Sequence, residues 1–330
     1  MKLHEDKKLF RQSIEFTAQQ KGILPIYVEK DYWVTYALST IFKDDIGKDT
    51  VFKGGTALSK CYSSIIERFS EDIDLVVLKK GDESGNQLSN KIKKMGKVVS
   101  KVLPEVQVDG LTHKMGMTRK TAHTYNKEFD GEYGQVRDTI VLEATWLGNS
   151  DPHEKKDIVS MAGQMMIDTK QEQIAKDNGL LPFEVNVMEP KRTICEKIMS
   201  LVRFSYGDDP ITDLKNKIRH TYDLNQLLKQ KEYSDFLNSP EFDEMLLKVA
   251  NDDVASFKNN NARLANHPKD ALVFDKLEET WEELKTAYNG DFKKLVYGVL
   301  PKDDDVLETL KRIKERLASI DWDVNNNSGN

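Results

Sequence analysis

Hydrophobic and polar positions divide the chain into a first part with mixed strand and helix patterns and a second part with helical patterns alone. In the first part, short apolar or alternating runs predict strands at residues 50–53, 73–78, 139–147 and 183–188. Apolar residues spaced by three and four predict helices at residues 28–42, at 54–66 and in the later part of 79–100. Beyond Pro190, which suits a first helical turn, helical patterns cover residues 190–202, 211–229, 241–250, 270–289 and 303–319.

This order of elements is typical of an α/β sheet domain that is followed by an all-α domain. We therefore predict an α/β domain over residues 1–190 and a helical C-terminal domain over residues 191–330. The polar end of the chain, about residues 325–330, is expected to be disordered.

Composition narrows the class of protein. The 330 residues are 38% hydrophobic and 32% charged, which is enough to fill a core but leaves a heavily charged surface. No apolar run approaches the roughly 18 residues of a membrane span, and the start of the chain lacks the apolar core of a secretory signal. With only two cysteines, Cys61 and Cys195, a disulfide framework and a four-thiolate zinc site are excluded, and we expect a reducing, cytoplasmic environment. Because the net charge is −6, any contact with nucleic acid must be local or carried by bound metal.

Two aspartates on one predicted strand are the first candidate for chemistry. Asp72 and Asp74 lie two positions apart, so their side chains share one face of the strand, while Ile73, Leu75 and Val77 project to the opposite face, toward a core. Neighbouring carboxylates repel each other unless a cation lies between them, and oxygen ligands suit Mg²⁺. Taken alone, however, such a pair is more often a solvated strand edge.

A pair of glycines supplies the second candidate. Gly54-Gly55 follows the predicted strand at residues 50–53 and opens a helix, where backbone N–H groups and the helix N-terminus can hold an anion. Thr56 can cap this helix and supply a hydroxyl group. A Gly-Gly pair by itself is usually only a turn, but here the acid pair follows one helix later. A nucleoside triphosphate with Mg²⁺ fits the two features together better than any other common ligand.

Residues 53–78, KGGTALSKCYSSIIERFSEDIDLVVL, resemble the signature of the polymerase-β-like nucleotidyltransferases. They are most similar to the AbiEii-type toxins of type IV toxin–antitoxin and abortive-infection systems, whose pattern is Gly-Gly-Thr-x-Leu followed by Arg-x-Ser-x-Asp-x-Asp. The second half of that pattern is met here by Arg68, Ser70, Asp72 and Asp74. Three further segments also resemble family motifs: EKDYW at 29–33, PKRTICEKI at 190–198 with Lys197, and RHTYDLNQLL at 219–228 with Asp223. Glu143 takes the place of a third acidic residue, which is Asp or Glu in the family, and residues beyond about 232 match no motif.

The resemblance implies a mixed sheet flanked by helices, and the transfer of a nucleoside monophosphate from an NTP to an acceptor hydroxyl with release of pyrophosphate. It implies Mg²⁺, or alternatively Mn²⁺, as the cofactor and a cognate antitoxin as a partner. A tRNA 3′ end is the first candidate acceptor and a protein hydroxyl is the second; no membrane is involved. The implied metal ligands are Asp72, Asp74 and Glu143. The implied nucleotide-binding residues are Gly54, Gly55, Thr56, Arg68, Ser70 and Lys197. Asp72, Asp74, Glu143, Lys197 and Asp223 are the implied catalytic residues.

Each of the later candidates also has a plainer interpretation. Glu143 could be a surface acid on an edge strand, and Lys197 lies just off the apolar stripe of its helix, where a lysine is ordinarily solvated. Asp223 follows Arg219 by four positions, so a helical i,i+4 ion pair is its default explanation. The aromatic group Tyr32, Trp33 and Tyr36 favours a core over a base-stacking platform.

Two other function classes stay open at this point. One is an effector that binds GTP or ATP and acts through a protein partner without transferring anything. The other is a partner-binding module with a decayed site, which is disfavoured because both aspartates and the Gly-Gly pair are present.

Overall fold

The computed structural model describes residues 1–114, 116–131, 136–148, 152–256 and 262–324, and the chain forms two compact units. The first unit comprises Met1–Trp146, His153–Met188 and Leu295–Gly298, and the second comprises Leu147–Pro152, Glu189–Lys294 and Val299–Asn330. The first unit thus takes in a late segment, Leu295–Gly298, which lies beyond the predicted boundary at residue 190. The predicted disordered tail at 325–330 lies outside the described residues.

The first unit is built on a mixed sheet, which confirms the predicted fold class. Its described residues form seven strands in the order β3-β4-β5-β2-β1-β7-β6. The strands are β1 (Thr50–Lys53), β2 (Ile73–Val77), β3 (Glu105–Val106), β4 (Thr118–His123), β5 (Ile140–Thr145), β6 (His153–Ile158) and β7 (Phe183–Met188). The β2–β5 and β1–β7 pairs are parallel, and the other four pairs are antiparallel. The helices of this unit are α1 (Lys7–Lys21), α2 (Pro25–Lys43), α3 (Gly54–Cys61), α4 (Gly85–Ser100), α5 (Met161–Asp168) and α6 (Glu172–Asp177).

The described residues of the second unit contain helices and no strand, as predicted. The helices are α7 (Pro190–Phe204), α8 (Pro210–Asn216), α9 (Arg219–Leu228), α10 (Lys231–Leu237), α11 (Pro240–Ser256), α12 (Leu272–Asp275), α13 (Leu277–Asn289) and α14 (Asp303–Ala318). Short 3₁₀ turns in the chain lie at Leu3–Glu5, Asp45–Asp49, Ala262–Ala265, Pro268–Asp270 and Phe292–Leu295. In the part of the chain that the structure describes, no helix is long and apolar enough to cross a membrane.

The central strands were predictable because both of their faces are covered. Val51 and Phe52 on β1, and Leu75 and Val76 on β2, are almost fully buried, so these strands read as apolar runs. By contrast, the sequence TRKTAH of β4 and the sequence HEKKDI of β6 are polar, and the hydrophobic pattern predicted neither strand.

Three predicted helices are wrong in extent. The segment predicted at 270–289 is two helices, α12 and α13, which are separated at Lys276. The helix predicted at 54–66 ends at Cys61, after which Tyr62 leaves helical geometry, although Ile66 stays buried in the irregular segment that follows. The helix predicted at 211–229 is two helices, α8 and α9. Leu214 and Ile218 are both buried and lie four positions apart. The helical spacing of apolar residues therefore continues through the turn between α8 and α9, and the sequence pattern does not show the break.

Candidate active site

The two predicted aspartates lie where β2 begins and share one face. Asp72 immediately precedes β2 and Asp74 is its second residue, and both side chains are half-buried. Ile73, Leu75 and Val77 are buried on the opposite face, as predicted from the alternation. The strand therefore fixes both carboxylates on one side through the packing of its apolar residues on the other.

A third carboxylate lies beside Asp74 on the neighbouring strand. β5 runs parallel to β2, and the register pairs Asp74 with Glu143. Glu143 is half-exposed, but β5 is an interior strand between β2 and β4, so the edge-strand interpretation does not apply. The pKa of Asp74 is raised to about 7, first by burial and then by the negative charges of Glu143 and Asp72. The three acids thus form one cluster of mutually repelling charges.

Two cations offset this repulsion, and the sequence analysis identified neither of them. Arg137 donates to both oxygens of Asp72, at 3.2 and 3.3 Å, and Lys120 on β4 lies 3.1 Å from Glu143. Lys120 was missed because β4 was missed, and Arg137 lies in an irregular segment with no pattern of its own. The side chain of Arg137 is exposed and that of Lys120 is partly exposed.

The acid cluster suits a hard cation that also binds phosphate. Among the described residues, no group of three or more His, Cys, Asp or Glu side chains is arranged so that it could hold a metal ion by itself. Mg²⁺, however, typically takes one or two carboxylates and completes its shell with water and substrate phosphates. The oxygen-only donors, the raised pKa of Asp74 and the two cations paired with its neighbours all fit this ion. Asp72 and Asp74, with Glu143 beside them, are the residues that could hold it.

The Gly-Gly turn lies directly against the acid pair. β1 pairs with β2 so that Lys53 is opposite Asp74, which places Gly54 next to the Asp74 carboxylate. Gly54 has a positive φ of 79°, and a Cβ atom there would overlap Asp74 Oδ2. Only glycine allows this close approach of the backbone, and α3 begins at this point.

Residues 68–70 also lie against the glycine turn. Together with Gly54, Gly55 and Thr56, Arg68 and Ser70 form a group of polar atoms that we call the cradle. A Cβ atom at Gly55 would lie 2.8 Å from a guanidinium nitrogen of Arg68 and 3.3 Å from Ser70 Oγ. The Thr56 hydroxyl donates to Ser70 Oγ at 2.9 Å. The structure therefore brings Gly54, Gly55, Thr56, Arg68 and Ser70 together beside Asp74, in an arrangement of N–H, O–H and guanidinium groups that suits an anion.

A segment from far along the chain holds Arg68 in place. Arg68 is fully buried, pairs as a β-bridge with Val296, and donates to the Phe69 carbonyl at 3.0 Å. The Phe69 N–H donates to the Leu295 carbonyl at 2.7 Å. Because these partners are more than 200 residues apart in sequence, no local pattern could have shown this support.

The EKDYW segment on α2 is buried, and its side chains position other residues of the same site. Asp31 forms an ion pair with Lys60 of α3 at 2.6 Å and accepts from the Met161 N–H at 2.7 Å. Lys30 donates to the carbonyl of Arg137, and burial lowers the pKa of Lys30 to about 8. One helix therefore positions both α3, which starts at the glycine turn, and the residue that pairs with Asp72.

Glu29 anchors the loop before Arg137. Its two oxygens accept from the N–H groups of Glu128 and Phe129, at 2.7 and 3.2 Å. Burial raises the pKa of Glu29 to about 7. The ring of Tyr32 is buried and that of Trp33 nearly so, which agrees with the core interpretation, whereas Tyr36 is only half-buried.

Lys197 and Asp223 lie in the second unit and form a buried ion pair. Their charged atoms are 2.7 Å apart, with side-chain exposures of 5% and 0%. The expectation that such a lysine is solvated is therefore wrong, because the carboxylate on α9 lets the ammonium group of α7 be buried. His220 extends the pair: its Nδ1 lies 3.4 Å from Lys197 Nζ, and its Nε2 lies 3.2 Å from Ser200 Oγ.

Comparison with known proteins gives a family match over most of the chain. A model of the family described as nucleotidyl transferase AbiEii toxin, type IV TA system, matches residues 36–318. The fold is similar to that of MenT4, a nucleotidyltransferase toxin from Mycobacterium tuberculosis H37Rv, with a TM-score of 0.54 and 17% identity over 93% of this chain and 90% of that one. JHP933 from Helicobacter pylori is similar at a TM-score of 0.43 and 14% identity, over 89% of this chain and 93% of that one. No curated protein matches the sequence.

Proposed function

The chain belongs to the AbiEii nucleotidyltransferase toxin family of type IV toxin–antitoxin systems, and we propose that it transfers a nucleoside monophosphate from an NTP to an acceptor hydroxyl and releases pyrophosphate, the reaction of EC class 2.7.7. One observation carries the proposal. The glycine turn, Arg68 and Ser70 lie directly beside Asp74, so groups that suit a phosphate and groups that suit a metal ion are next to each other.

Asp72 and Asp74, with Glu143, would hold Mg²⁺ or Mn²⁺. When bound, this metal neutralises phosphate charge and lowers the pKa of the attacking hydroxyl. The N–H groups at Gly54 and Gly55 and the hydroxyls of Thr56 and Ser70 would bind the β- and γ-phosphates of the nucleotide.

The proposed reaction is a displacement at the α-phosphorus. The acceptor oxygen forms a bond to the α-phosphorus as the bond to the oxygen that bridges to the β-phosphate breaks, and that oxygen leaves with pyrophosphate. Glu143 would either complete a second metal site or take the hydroxyl proton. Arg68 and Lys197 would offset the growing negative charge, and Asp223 would orient Lys197 or the nucleotide.

The acceptor we propose first is a tRNA 3′ end, and a protein hydroxyl is the second candidate. A toxin of this family implies a cognate antitoxin as its partner, and we propose that the protein acts in the cytoplasm during abortive infection. A nucleotide-binding effector that transfers nothing is the alternative function, since the same cradle would serve binding alone.

The test is incubation of the protein with each α-³²P-labelled NTP, Mg²⁺ and total tRNA. We expect label in tRNA from the wild type and none from Asp74→Asn. Asp157→Asn is the matched control, because Asp157 is an exposed aspartate on β6 of the same sheet. Asp74→Asn removes repulsion from its neighbours, so its melting temperature should hold or rise.

The outcomes separate the candidate functions. Label on protein would replace tRNA by a protein acceptor. Nucleotide binding without label in either would favour the effector, and full labelling by Asp74→Asn would refute the assignment of the acid cluster.

A further inference from the structure

The acid cluster of Asp72, Asp74 and Glu143 lies between two groups of residues that suit anions, and the proposed chemistry uses only the cradle. Four adjacent strands of the sheet follow the order β4-β5-β2-β1. The cradle lies on the β1 side of Asp74, because it begins where β1 ends. Lys120 is on β4, and Arg137 lies three residues before β5, so both cations are on the opposite side. On that side the cluster therefore has two cations to which the proposed chemistry assigns no substrate.

Lys120 is on the same face of the sheet as the acids. The register places Lys120 beside Glu143 and Glu143 beside Asp74, and residues paired in this way share a face. The neighbours of Lys120 on β4 project to the other face, where α4 packs: a Cβ atom at Gly96 of α4 would lie 3.6 Å from Arg119 Nε. The ammonium group of Lys120, 3.1 Å from Glu143, is therefore directed toward the acid cluster and not toward α4.

Arg137 is an exposed arginine whose main chain is held by two buried charged side chains. Its N–H donates to Glu71 Oε1 at 3.3 Å, and its carbonyl accepts from the ammonium group of Lys30. Lys30 and Glu71 are fully buried, whereas the side chain of Arg137 is 45% exposed. Buried charges are costly unless they are paired and hydrogen-bonded, and here both donate to or accept from the main chain of the same residue. The main chain of Arg137 is thus fixed at a point from which its guanidinium group reaches Asp72.

The direction of the proposed displacement decides which substrate these two cations would meet. In phosphoryl transfer the attacking and leaving oxygens lie roughly in line, on opposite sides of the phosphorus. If the cradle holds the β- and γ-phosphates, pyrophosphate leaves on the β1 side of the acid cluster. The acceptor oxygen then approaches from the β5 side, where Arg137 and Lys120 lie.

We propose that Arg137 and Lys120 bind phosphodiester groups of an RNA acceptor next to its terminal hydroxyl, and that they form an acceptor site opposite the cradle. The inference rests on the proposed function, because it takes the acceptor to be the 3′ end of an RNA. The planar fork of an arginine matches two phosphate oxygens, and a lysine supplies a point charge. Both cations pair with acids that would hold the metal, so loading of the metal site would leave them available for phosphate.

The direct test measures binding of a fluorescein-labelled RNA 12-mer with a free 3′ hydroxyl by anisotropy, with Mg²⁺ and without NTP. We expect Arg137→Gln to weaken binding roughly 10- to 100-fold, the effect of losing charge-assisted hydrogen bonds to one phosphate. Lys120→Gln should weaken binding less, because an ammonium group makes a single contact. Each variant should make the salt dependence shallower by about 0.7 in the log–log slope, the value for one phosphate of a single strand.

A second readout locates the phosphate that Arg137 binds. One methylphosphonate linkage, which has no charge, replaces each of the last three linkages of the RNA in turn. We expect one replacement to weaken binding to the wild type by a factor similar to that of Arg137→Gln, and to have no further effect on that variant. If every replacement affects the two proteins equally, Arg137 binds no phosphate near the 3′ end and the proposal is wrong.

Arg11→Gln is the matched control for Arg137→Gln. The side chains of Arg11 and Arg137 are both 45% exposed and both lie near acids, but Arg11 is on α1 and its acidic neighbours are Glu15 and Glu128. Equal losses of affinity in the two arginine variants would show a general charge effect and overturn the proposal.

Steady-state kinetics with tRNA test the same site during turnover. We expect Arg137→Gln to raise KM for tRNA roughly 10-fold or more and to leave KM for the NTP nearly unchanged, since the contact is made to the acceptor alone. Arg137→Lys should restore part of the loss, because it keeps the charge but not the fork. A raised KM for the NTP with an unchanged KM for tRNA would place Arg137 at the triphosphate. Unchanged KM values with tighter binding of Mg²⁺ would make it only a counter-ion of Asp72, and either result would overturn the proposal.

Failure of the proposed transfer would be seen separately. RNA binding that depends on Arg137 and on one linkage, in a protein that labels nothing, would leave the acceptor site standing and refute the transfer. Labelling of tRNA with unchanged RNA affinity and KM in both Arg137→Gln and Lys120→Gln would remove the acceptor site alone. Label on protein and not on RNA would remove the tRNA acceptor and this site together.

Discussion

Lys197 and Asp223 form a buried ion pair, and replacing either residue alone should lower the free energy of unfolding substantially. At 2.7 Å and with almost no exposure, solvent screening is small. Two unit charges at this distance attract by roughly 6 kcal/mol at an effective dielectric of 20, and the desolvation of both charges cancels much of that gain. Removing one partner keeps the desolvation cost of the other, so Lys197→Met or Asp223→Leu should each cost about 3–5 kcal/mol.

The double variant should be far less destabilised than the sum of the two single variants. With both charges gone, neither leaves an uncompensated partner, and two apolar side chains of similar size fill the space. We expect the double variant to cost no more than either single variant, which gives a coupling of about 3 kcal/mol or more.

Cys195 offers a local probe for this measurement. It lies two residues before Lys197 on α7, is fully buried, and burial raises the pKa of its thiol. In a Cys61→Ser background it is the only thiol, so its labelling in a urea series reports the opening of α7. A loss of 3–5 kcal/mol should raise the labelling rate roughly 10²- to 10⁴-fold at a fixed urea concentration.

Two results would refute this reasoning. Additive losses of stability in the double variant would mean that the two charges do not interact, and single losses below about 1 kcal/mol would mean that the pair is solvated in solution. The same measurement is needed to interpret activity. A lower turnover of a Lys197 variant can be assigned to catalysis only at temperatures where α7 remains folded.

Two further predictions concern the glycine turn and the buried acid of α2. Gly54→Ala should weaken NTP binding in calorimetry more than Gly22→Ala does, because both have positive φ but a Cβ atom meets Asp74 only at Gly54; equal effects would exclude the cradle. The pKa of Glu29 is about 7 when folded against 4.5 as its ordinary value, so the folded chain binds the extra proton between these values. The free energy of unfolding should therefore fall as pH rises from 4.5 through 7, by up to about 3 kcal/mol, and Glu29→Gln should remove that decline in urea unfolding at pH 5 and 8.

The elements that could be predicted from the sequence are those whose buried residues form an apolar run or a regular apolar spacing. Strands β1 and β7 were found at their observed bounds, and the Asp-x-Asp alternation placed the acids on one face and Leu75 on the other. The polar strands β4 and β6 leave no such trace, because their stability comes from ladder pairing with β5 and β7 rather than from an apolar face.

Long-range polar contacts could not be predicted from the sequence, for a related reason. A buried Lys197 is stable only because Asp223 faces it from another helix, and Arg68 is buried only because a segment from residues 295–298 lies against it. Periodicity ranks a lone lysine or arginine as solvated, since it cannot show the partner that offsets the cost of burial. The resemblance pointed to these residues, and the contacts give the physical reason that they can be buried.

The cations around the acid cluster have a consequence for how the site would change on binding. Without metal, the charges of Asp72, Asp74 and Glu143 are offset in part by Arg137 and Lys120, while burial and the two neighbouring carboxylates raise the pKa of Asp74. Under the proposed function, a divalent cation would take over the neutralising role, since it competes for the same carboxylate oxygens. Arg137 and Lys120 would then lose their partners at the moment when a triphosphate and an acceptor backbone bring new negative charge to the site. These two cations are therefore well placed to meet the substrates, since the side chain of Arg137 is 45% exposed and that of Lys120 is 30% exposed.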